Sequence, residues 1–414
     1  MAKNNVMNSS NPMITVVILT RGRPERCRNC IWKTVDALAG LNASIMVINN
    51  DEVPLQVALP STLTPINIIN TGRNLGITAR NIALEGSNSP YILMLDDDAE
   101  ISRQTIHQAL AAISSSSDIG AVSFRVFNGP EEEACLLPTA FHGCACLFRF
   151  DALKRIGGYP DWMLYYGEEY DLSIRMYQHG YKIVRINDET LGVTHARDPH
   201  GRRVDRIIRN LIRNNVAIWT RYFPAEYLQL AIKDTLVRYL AVAVKEKSVK
   251  GFLSAIPALP LSVLIGLKRR TTLEAGLFRK ATMLDNIESA ANVITSNGGH
   301  ETVICSAGKF PGIWIKTLAN KGITVNKILD FNTCWRNRKV GGTEVITCRS
   351  PADIEKNISN ARFIITGTGS IPETTNWNTA ISVHNVKRIQ RESFSTHGIF
   401  DLLNDNKITV FARI

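Results

Sequence analysis

The chain has no long unbroken apolar run near its start. Residues 1 to 12 are polar, and the first apolar stretch, Ile14 to Leu19, is too short for a signal segment or a membrane span. Gly251 to Leu267 is apolar but carries Pro257 and Pro260, which make it a poor spanning helix. Cys27-x-x-Cys30 has no second pair at zinc spacing and is read as ordinary helix cysteines, and Cys144-Ala145-Cys146 as packing. Eight cysteines in 414 residues, with no leading hydrophobic signal, give the expectation of reduced thiols in a cytoplasmic compartment. No glycine- and lysine-rich phosphate loop follows the first apolar run. Thr20-Arg21-Gly22-Arg23-Pro24 stands there instead, which weighs against a nucleotidyltransferase.

Hydrophobic residues at 45% and charged residues at 21% are ordinary globular values, and 414 residues exceed what one core covers. The net charge of +11, with a pI of about 9.3, favours anionic partners. Nucleic acid is not expected among them, because the arginines cluster on one helix without interleaved aromatics.

The chain is organised around Tyr91 to Glu100. Tyr91-Ile92-Leu93-Met94-Leu95 reads as a buried strand opening onto Asp96-Asp97-Asp98. Adjacent carboxylates repel, and the carboxyl ends of strands in open α/β sheets are where ligands bind, so a hard divalent cation bridging to phosphate is the expected neutralising partner. Alternation along extended backbone puts Asp96 and Asp98 on one side and Asp97 on the other. The alternative is an acidic loop capping the next helix, with Asp98 or Ser102 as N-cap.

Around this strand the pattern alternates. Ile14 to Thr20, Ser44 to Ile48 and Ile66 to Ile69 are expected strands, running into Arg21-Gly22-Arg23, Asn49-Asn50-Asp51 and Thr71-Gly72-Arg73-Asn74-Leu75-Gly76. Pro24 fits a helix's first turn, and a further helix is expected after Gly76. Together these predict a doubly wound α/β sheet with one ligand crevice. A helix from Ser102 to about Ser117, a strand from Gly120 to Val126 and a loop over 128 to 142 with a solvated acidic run, Glu131-Glu132-Glu133, come next. In the small-residue strand His142 to Phe148, Gly143 lets a substrate lie close to the backbone. Glu168 and Glu169 open a helix. Helix N-termini favour acids without any function, and the functional alternative is a general base that deprotonates a hydroxyl nucleophile. His195 ends a further strand, where it is either a polar contact or a third metal ligand.

Val17-Ile18-Leu19-Thr20-Arg21-Gly22-Arg23, Val47-Ile48-Asn49-Asn50-Asp51, Arg73 to Asn81, Leu95-Asp96-Asp97-Asp98 and Gly167 to Arg175, in this order, resemble the inverting family 2 glycosyltransferases of GT-A fold. The resemblance covers roughly residues 13 to 222. It implies that Thr20, Arg23, Asn49, Asp51, Asn74, Gly76, Arg80, Asp96, Asp97 and Gly143 bind the nucleotide-sugar. It further implies that Asp98 and Asp96 hold Mn2+ or Mg2+ with His195 completing the set, and that Glu169 is the base, with Glu168 as the fallback. Asn49 stands where the family usually has an aspartate contacting the base, which leaves the base open among uracil, thymine and guanine, UDP- and dTDP-sugars being favoured. Glu169 stands where the family has its catalytic aspartate.

The expected organisation is a flexible 1–12, a glycosyltransferase domain over 13–222, a helical, membrane-associating region over 223–285 and a Rossmann-like α/β domain over 286–414. An amphipathic basic helix over 201 to 222 carries Arg202, Arg203, Arg206, Arg209 and Arg213, and residues 281 to 299 are expected as a link. In the last domain Ser306 and Pro311 stand where a dinucleotide fingerprint wants glycine, and Gly367-Thr368-Gly369-Ser370 closes a strand. The expected activity is inverting, metal-dependent sugar transfer from a nucleotide-sugar to a glycan or lipid-linked acceptor in surface polysaccharide assembly. The reading also allows an anionic membrane surface on the inner face and a homo-oligomer as partners. A catalytically silent nucleotide-sugar-binding scaffold is the alternative from another class.

Overall fold

Continuous β-branched sequence drives Ile14–Thr20 (β1) into the centre of a sheet, where all seven residues are buried, as expected of a parallel strand covered on both faces. The structure, a computed structural model, describes residues 11–133, 140–186, 188, 190–196, 203–335, 338–366, 386–391 and 409–413. Two compact units emerge: one of Met1–Glu131, His142–Leu164 and Val184–Arg197, the other of Glu132–Phe141, Tyr165–Ile183 and Asp198–Ile414.

In the first unit Ala43–Asn49 (β2), Ile66–Asn70 (β3) and Tyr91–Asp96 (β4) run parallel with β1, in the order β4-β1-β2-β3. The register puts Leu19 opposite Asp96 and Thr20 opposite Asn49, so the polar strand ends are aligned. Ala99–Ile101 (β5), Ile119–Ser123 (β6), Val126–Asn128 (β7), Glu131–Glu132 (β8), Ala145–Arg149 (β9), Lys182–Arg185 (β10) and Val193–His195 (β11) complete the strands. β9 lies antiparallel between β4 and β6, and β10 takes the outer edge, which makes the large sheet mixed. A small sheet has the order β5-β11-β7-β8.

Helices Pro24–Leu38 (α1) and Arg103–Ser114 (α3) flank a core built from Ile14, Val16, Ile31, Leu93, Leu110 and their neighbours. Between them in sequence the expected helix after Gly76 begins as a 3-10 turn, Gly76–Asn81, and continues as the short Ile82–Gly86 (α2). Ser102 caps α3, accepting from Thr105 N at 3.1 Å. Cys27 and Cys30 are buried thiols, Cys27 pushed up to about 12 by burial. Glu131 and Glu132 form the two-residue β8 where a loop was expected, Glu131 being exposed as the reading of a solvated acidic run has it, while residues 134–139 lie outside the described set.

Phe150–Arg155 (α4) belongs to the first unit and Glu168–Gln178 (α5) to the second. The second unit continues with Val204–Tyr222 (α6), Ala225–Lys245 (α7), Val249–Ala255 (α8), Leu259–Lys268 (α9), Ala275–Ala281 (α10) and Leu284–Ser296 (α11). Two sequence expectations change here. The stretch expected as a link is helix α11, because Leu284, Ile287, Ala290, Ala291 and Ile294 fall at helical spacing and are buried. The prolines do not break the apolar stretch: Pro257 opens a 3-10 turn, Ile256–Ala258, and Pro260 lies in the first turn of α9, positions that need no amide hydrogen from proline. The resulting helix, Val249–Lys268, has 20 residues and a mean hydropathy of 1.6, long and apolar enough to cross a membrane by length and composition.

Glu301–Cys305 (β12), Thr324–Asp330 (β13), Arg338–Val340 (β14), Thr343–Thr347 (β15), Phe363–Thr366 (β16), Val386–Arg391 (β17) and Thr409–Arg413 (β18) form a third sheet of order β14-β15-β13-β12-β16-β18-β17. Its parallel centre, β15-β13-β12-β16, is the α/β pattern expected for the last domain, with Pro311–Asn320 (α12) and Pro351–Ile358 (α13) as its helices. The strand-closing Gly367 to Ser370 and the basic-helix residue Arg202 lie outside the described residues.

Candidate active site

At the carboxyl end of β4 Asp96 closes the strand, and Asp97 and Asp98 form the turn into β5 rather than continuing the extended backbone that was expected. Asp97 is buried and accepts from Thr20 Oγ1 at 2.6 Å, and it pairs with Arg23, whose Nη1 also reaches Asp98 Oδ2 at 3.1 Å. Asp96 accepts from Arg80 Nη2 at 2.5 Å. Two arginines therefore neutralise the acids, a role the sequence reading gave to a metal alone. Burial raises the Asp96 carboxyl above its ordinary range, against Arg80, and pushes Asp97 up to about 6, against Arg23 and Thr20.

Asp98 and Asp96 meet His195, which ends β11, the strand paired antiparallel with β5 so that His195 lies opposite Ala99. One ligand atom from each of Asp96, Asp98 and His195 lies within 4.8 Å of the others. Two carboxylates and an imidazole are donors that suit Mn2+ and similar divalent ions, and a cation there would favour the ionised carboxylates that burial disfavours. The residues present fit a metal.

Arg80 is almost fully buried. Besides Asp96 it donates to Gly143 O at 3.0 Å and Tyr159 Oη at 3.3 Å, so it links the expected site residues Arg80, Asp96 and Gly143 through the protein itself. At the neighbouring strand end Asn49 donates to Val53 O at 2.7 Å and to Asn70 Oδ1 at 2.8 Å. The sequence reading missed Asn50. Fully buried, it donates to Gly76 O at 2.9 Å and Asn74 Oδ1 at 3.2 Å and accepts from Leu75 N at 2.7 Å, which fixes the whole Asn74-Leu75-Gly76 turn. Gly76 has φ +68, and a Cβ there would meet Leu164 O at 2.4 Å, so both conformation and space require glycine. Asp51 Oδ2 sits 3.3 Å from where a Gly22 side chain would begin.

In the second unit Gly167, at φ +93, turns the chain into α5, whose first turn holds Glu168 and Glu169. Glu168 is buried. Burial raises the Glu169 carboxyl, and backbone amides and Lys309 pull it partly back. Asp171, also missed by the sequence reading, is fully buried and accepts from Arg175 Nε at 2.7 Å, Arg221 Nη1 at 2.9 Å and Tyr222 Oη at 2.7 Å. It anchors α5 to α6, a structural use of the acid.

The last domain has its own candidate, the turn from β12 into α12. There Ala307 N donates to Asp330 Oδ2 at 2.8 Å, and Gly312 N, at the start of α12, donates to Asp234 Oδ2 of α7 at 2.9 Å. A phosphate at this helix N-terminus would have to displace the chain's own buried carboxylate.

Residues 15–142 match the family model for glycosyl transferase family 2. That stretch holds Thr20, Arg23, Asn49, Asp51, Asn74, Gly76, Arg80 and Asp96 to Asp98, whereas Gly143, Glu168, Glu169 and His195 lie beyond it. With the strand order of the first unit, the match agrees with the expected GT-A type architecture, and it supports sugar transfer as the coarse reading. No curated protein matches the chain significantly. Solved structures similar to it include S. aureus TarS residues 1–349 with UDP-GlcNAc, at 12% identity and a TM-score of 0.43 over 60% of this chain and 81% of that one. Another is the mannosyltransferase PcManGT from Pyrobaculum calidifontis with GDP-Man and Mn2+, at 15% identity and a TM-score of 0.38 over 76% and 87% of the two chains. GalNAc-T7 with UDP, GalNAc and Mn2+ has 14% identity and a TM-score of 0.43 over 55% and 51%.

Proposed function

We propose that the protein is an inverting, metal-dependent glycosyltransferase that moves a sugar from a nucleotide-sugar, with UDP- and dTDP-sugars favoured, to a glycan or lipid-linked acceptor in surface polysaccharide assembly. The observation that carries the reading is the convergence of Asp96, Asp98 and His195 at the end of β4, in and beside a stretch that matches glycosyl transferase family 2. These three residues would hold Mn2+ or Mg2+, which when bound supplies charge neutralisation to the departing diphosphate.

The chain's own residues do the rest. Arg23 orients Asp97 and Asp98, and Arg80 orients Asp96. The turn Asn74 to Gly76, held by Asn50, offers donor-binding groups whose position is set before the donor arrives. Glu169 accepts the proton of the acceptor hydroxyl as its oxygen forms a bond to the anomeric carbon and the bond to the diphosphate breaks, a single displacement that inverts that carbon. A carboxylate whose affinity for a proton is raised by burial is a stronger base than an exposed one, which supports the assignment.

The test is a panel of nucleotide-sugars, screened for thermal stabilisation with and without manganese and then for donor hydrolysis. One nucleotide-sugar should stabilise the protein and be hydrolysed only with the metal present. Stabilisation without turnover by any donor or acceptor would leave the silent scaffold as the better reading, and no stabilisation by any donor would remove both.

A further inference from the structure

We propose that the outward face of the Val249–Lys268 helix docks on an anionic membrane surface, lying on it rather than across it. In most helices packed on a protein the large apolar side chains face inward. Here the arrangement is reversed. Gly251, Ala255, Ser262 and Gly266 form the buried side, and the helix approaches α6 so closely that a Cβ on Gly251 would meet Asp205 Cα at 2.7 Å and one on Gly266 would meet Ala217 O at 2.6 Å. The bulky residues point to solvent: Leu253 is 60% exposed, Leu261 and Leu267 51%, and Ile256 and Leu264 are exposed with them.

Sequence spacing accounts for this outward face. Within α8 Leu253 lies opposite Gly251 and Ala255, within α9 Leu264 lies opposite Ser262 and Gly266, and Ile256 in the 3-10 turn between them is exposed with them. Lys250 and Lys268 close the two ends of this face. Both are exposed, as are Lys245 and Lys247 just before the helix, against one acid there, Glu246. Aliphatic side chains flanked at both ends by lysines match the boundary between acyl chains and anionic headgroups, where the lysine stems lie along the apolar layer and the ammonium groups meet phosphate.

The same charges argue against the other occupants. A second copy packed along this face, parallel or antiparallel, sets lysine against lysine at both ends. A spanning orientation would carry α6, on which one side of the helix is packed, into the hydrocarbon together with its Asp205, Arg206 and Arg209. The inference stands apart from the sugar-transfer reading, since it uses none of that site's residues and its test needs no donor.

The experiment is co-flotation of the full chain with vesicles of phosphatidylcholine alone and of phosphatidylcholine with phosphatidylglycerol, alongside sedimentation velocity without lipid. The expected result is binding to the anionic vesicles that weakens as salt rises from about 0.1 M to about 1 M. A Leu261→Glu/Leu264→Glu variant should lose that binding by at least about tenfold. A milder Leu261→Ser/Leu264→Ser variant and the melting temperature of each guard against misfolding, and these exposed changes should leave the melt within a few degrees of the parent. The proposal is overturned if the parent ignores anionic vesicles, if the folded Ser and Glu variants bind as it does, or if sedimentation shows a dimer that the substitutions dissolve, which would give the face to a second copy.

Discussion

His195 Nε2 lies 3.3 Å from Asp98 Oδ1 because two strands fix the pair: β11 sets His195 opposite Ala99, and Ala196 N donates to Asp98 O at 2.9 Å. Asp98 itself sits in the two-residue turn between β4 and β5, and Asp96 completes the set from the end of β4. If these three hold a divalent ion, Asp98→Asn and His195→Ala should each weaken Mn2+ binding by at least about tenfold, the scale on which even outer partners of metal ligands act. Burial raises the Asp96 carboxyl, so protons compete for it at higher pH than for an exposed aspartate. Affinity should therefore fall as pH falls, beginning above the ordinary carboxylate range. Isothermal titration of the parent and both variants checks this, and equal affinities in all three would place the ion elsewhere.

Arg80 is bound on three sides, by Asp96, Gly143 O and Tyr159 Oη, and is itself buried. Its planar fork serves partners in different directions, which a lysine cannot do. Arg80→Met should cost about 2 kcal/mol, less than breaking a fully buried pair, because the Asp96 side chain is 35% exposed and water can take up part of its charge. Adding Asp96→Asn to it should restore part of the loss, since the stranded charge goes too. Urea unfolding of the singles and the double gives the coupling. Strictly additive losses would show that the pair is not interacting.

The strands were legible because parallel strands covered on both faces are continuous apolar runs, and β1, β2 and β4 are such runs. Asp96 and Asp98 do come together with His195, but through a turn at Asp97 and Asp98 that the alternation of an extended strand did not foresee, with Arg23 pairing with both residues of that turn. Asn50 was not legible: beside Asn49 it looks like a second turn residue, and its partners Asn74 and Gly76 lie 24 and 26 residues on. Helix α11 was hidden by its Asn, Ser and Thr residues, which favour turns unless burial on the other face overrides them. Pro257 and Pro260 misled for the opposite reason, since each falls in the first turn of a helical segment, where proline is accommodated.

Asp234 was equally invisible, being on α7, with its partner Gly312 78 residues away. Burial pushes its carboxyl up to about 7, outweighing the Gly312 amide and Arg238. In the unfolded chain the group titrates at about 4. Between those values the folded state holds a proton that the unfolded state has lost, so stability falls as pH rises through this window. Asp234→Asn removes the slope. The melting temperature of the parent, relative to that of the variant, should decline from about pH 4 to about pH 7, and parallel profiles would show that this carboxyl is ionised throughout.

Lys309 Nζ sits over the rings of Tyr170 at 4.8 Å, Tyr239 at 5.3 Å and Trp219 at 5.7 Å, in the turn that leads into α12. The three ring faces hold an ammonium group in a buried place, and from there it favours the charged form of Glu169, against the burial that raises its carboxyl. As a general base Glu169 works only when ionised, so transfer should rise with pH along a limb that starts above the ordinary carboxylate range. Lys309→Met takes away the ammonium and should move that limb to still higher pH while kcat on the plateau changes little. Glu169→Gln should lower kcat by about 100-fold to 10,000-fold at every pH, with the affinity for donor kept, because the residue acts on the acceptor. The pH dependence of kcat for parent and both variants decides the matter: a limb that stays in place without Lys309 would mean that another group titrates there, and full turnover in Glu169→Gln would pass the role of base to Glu168.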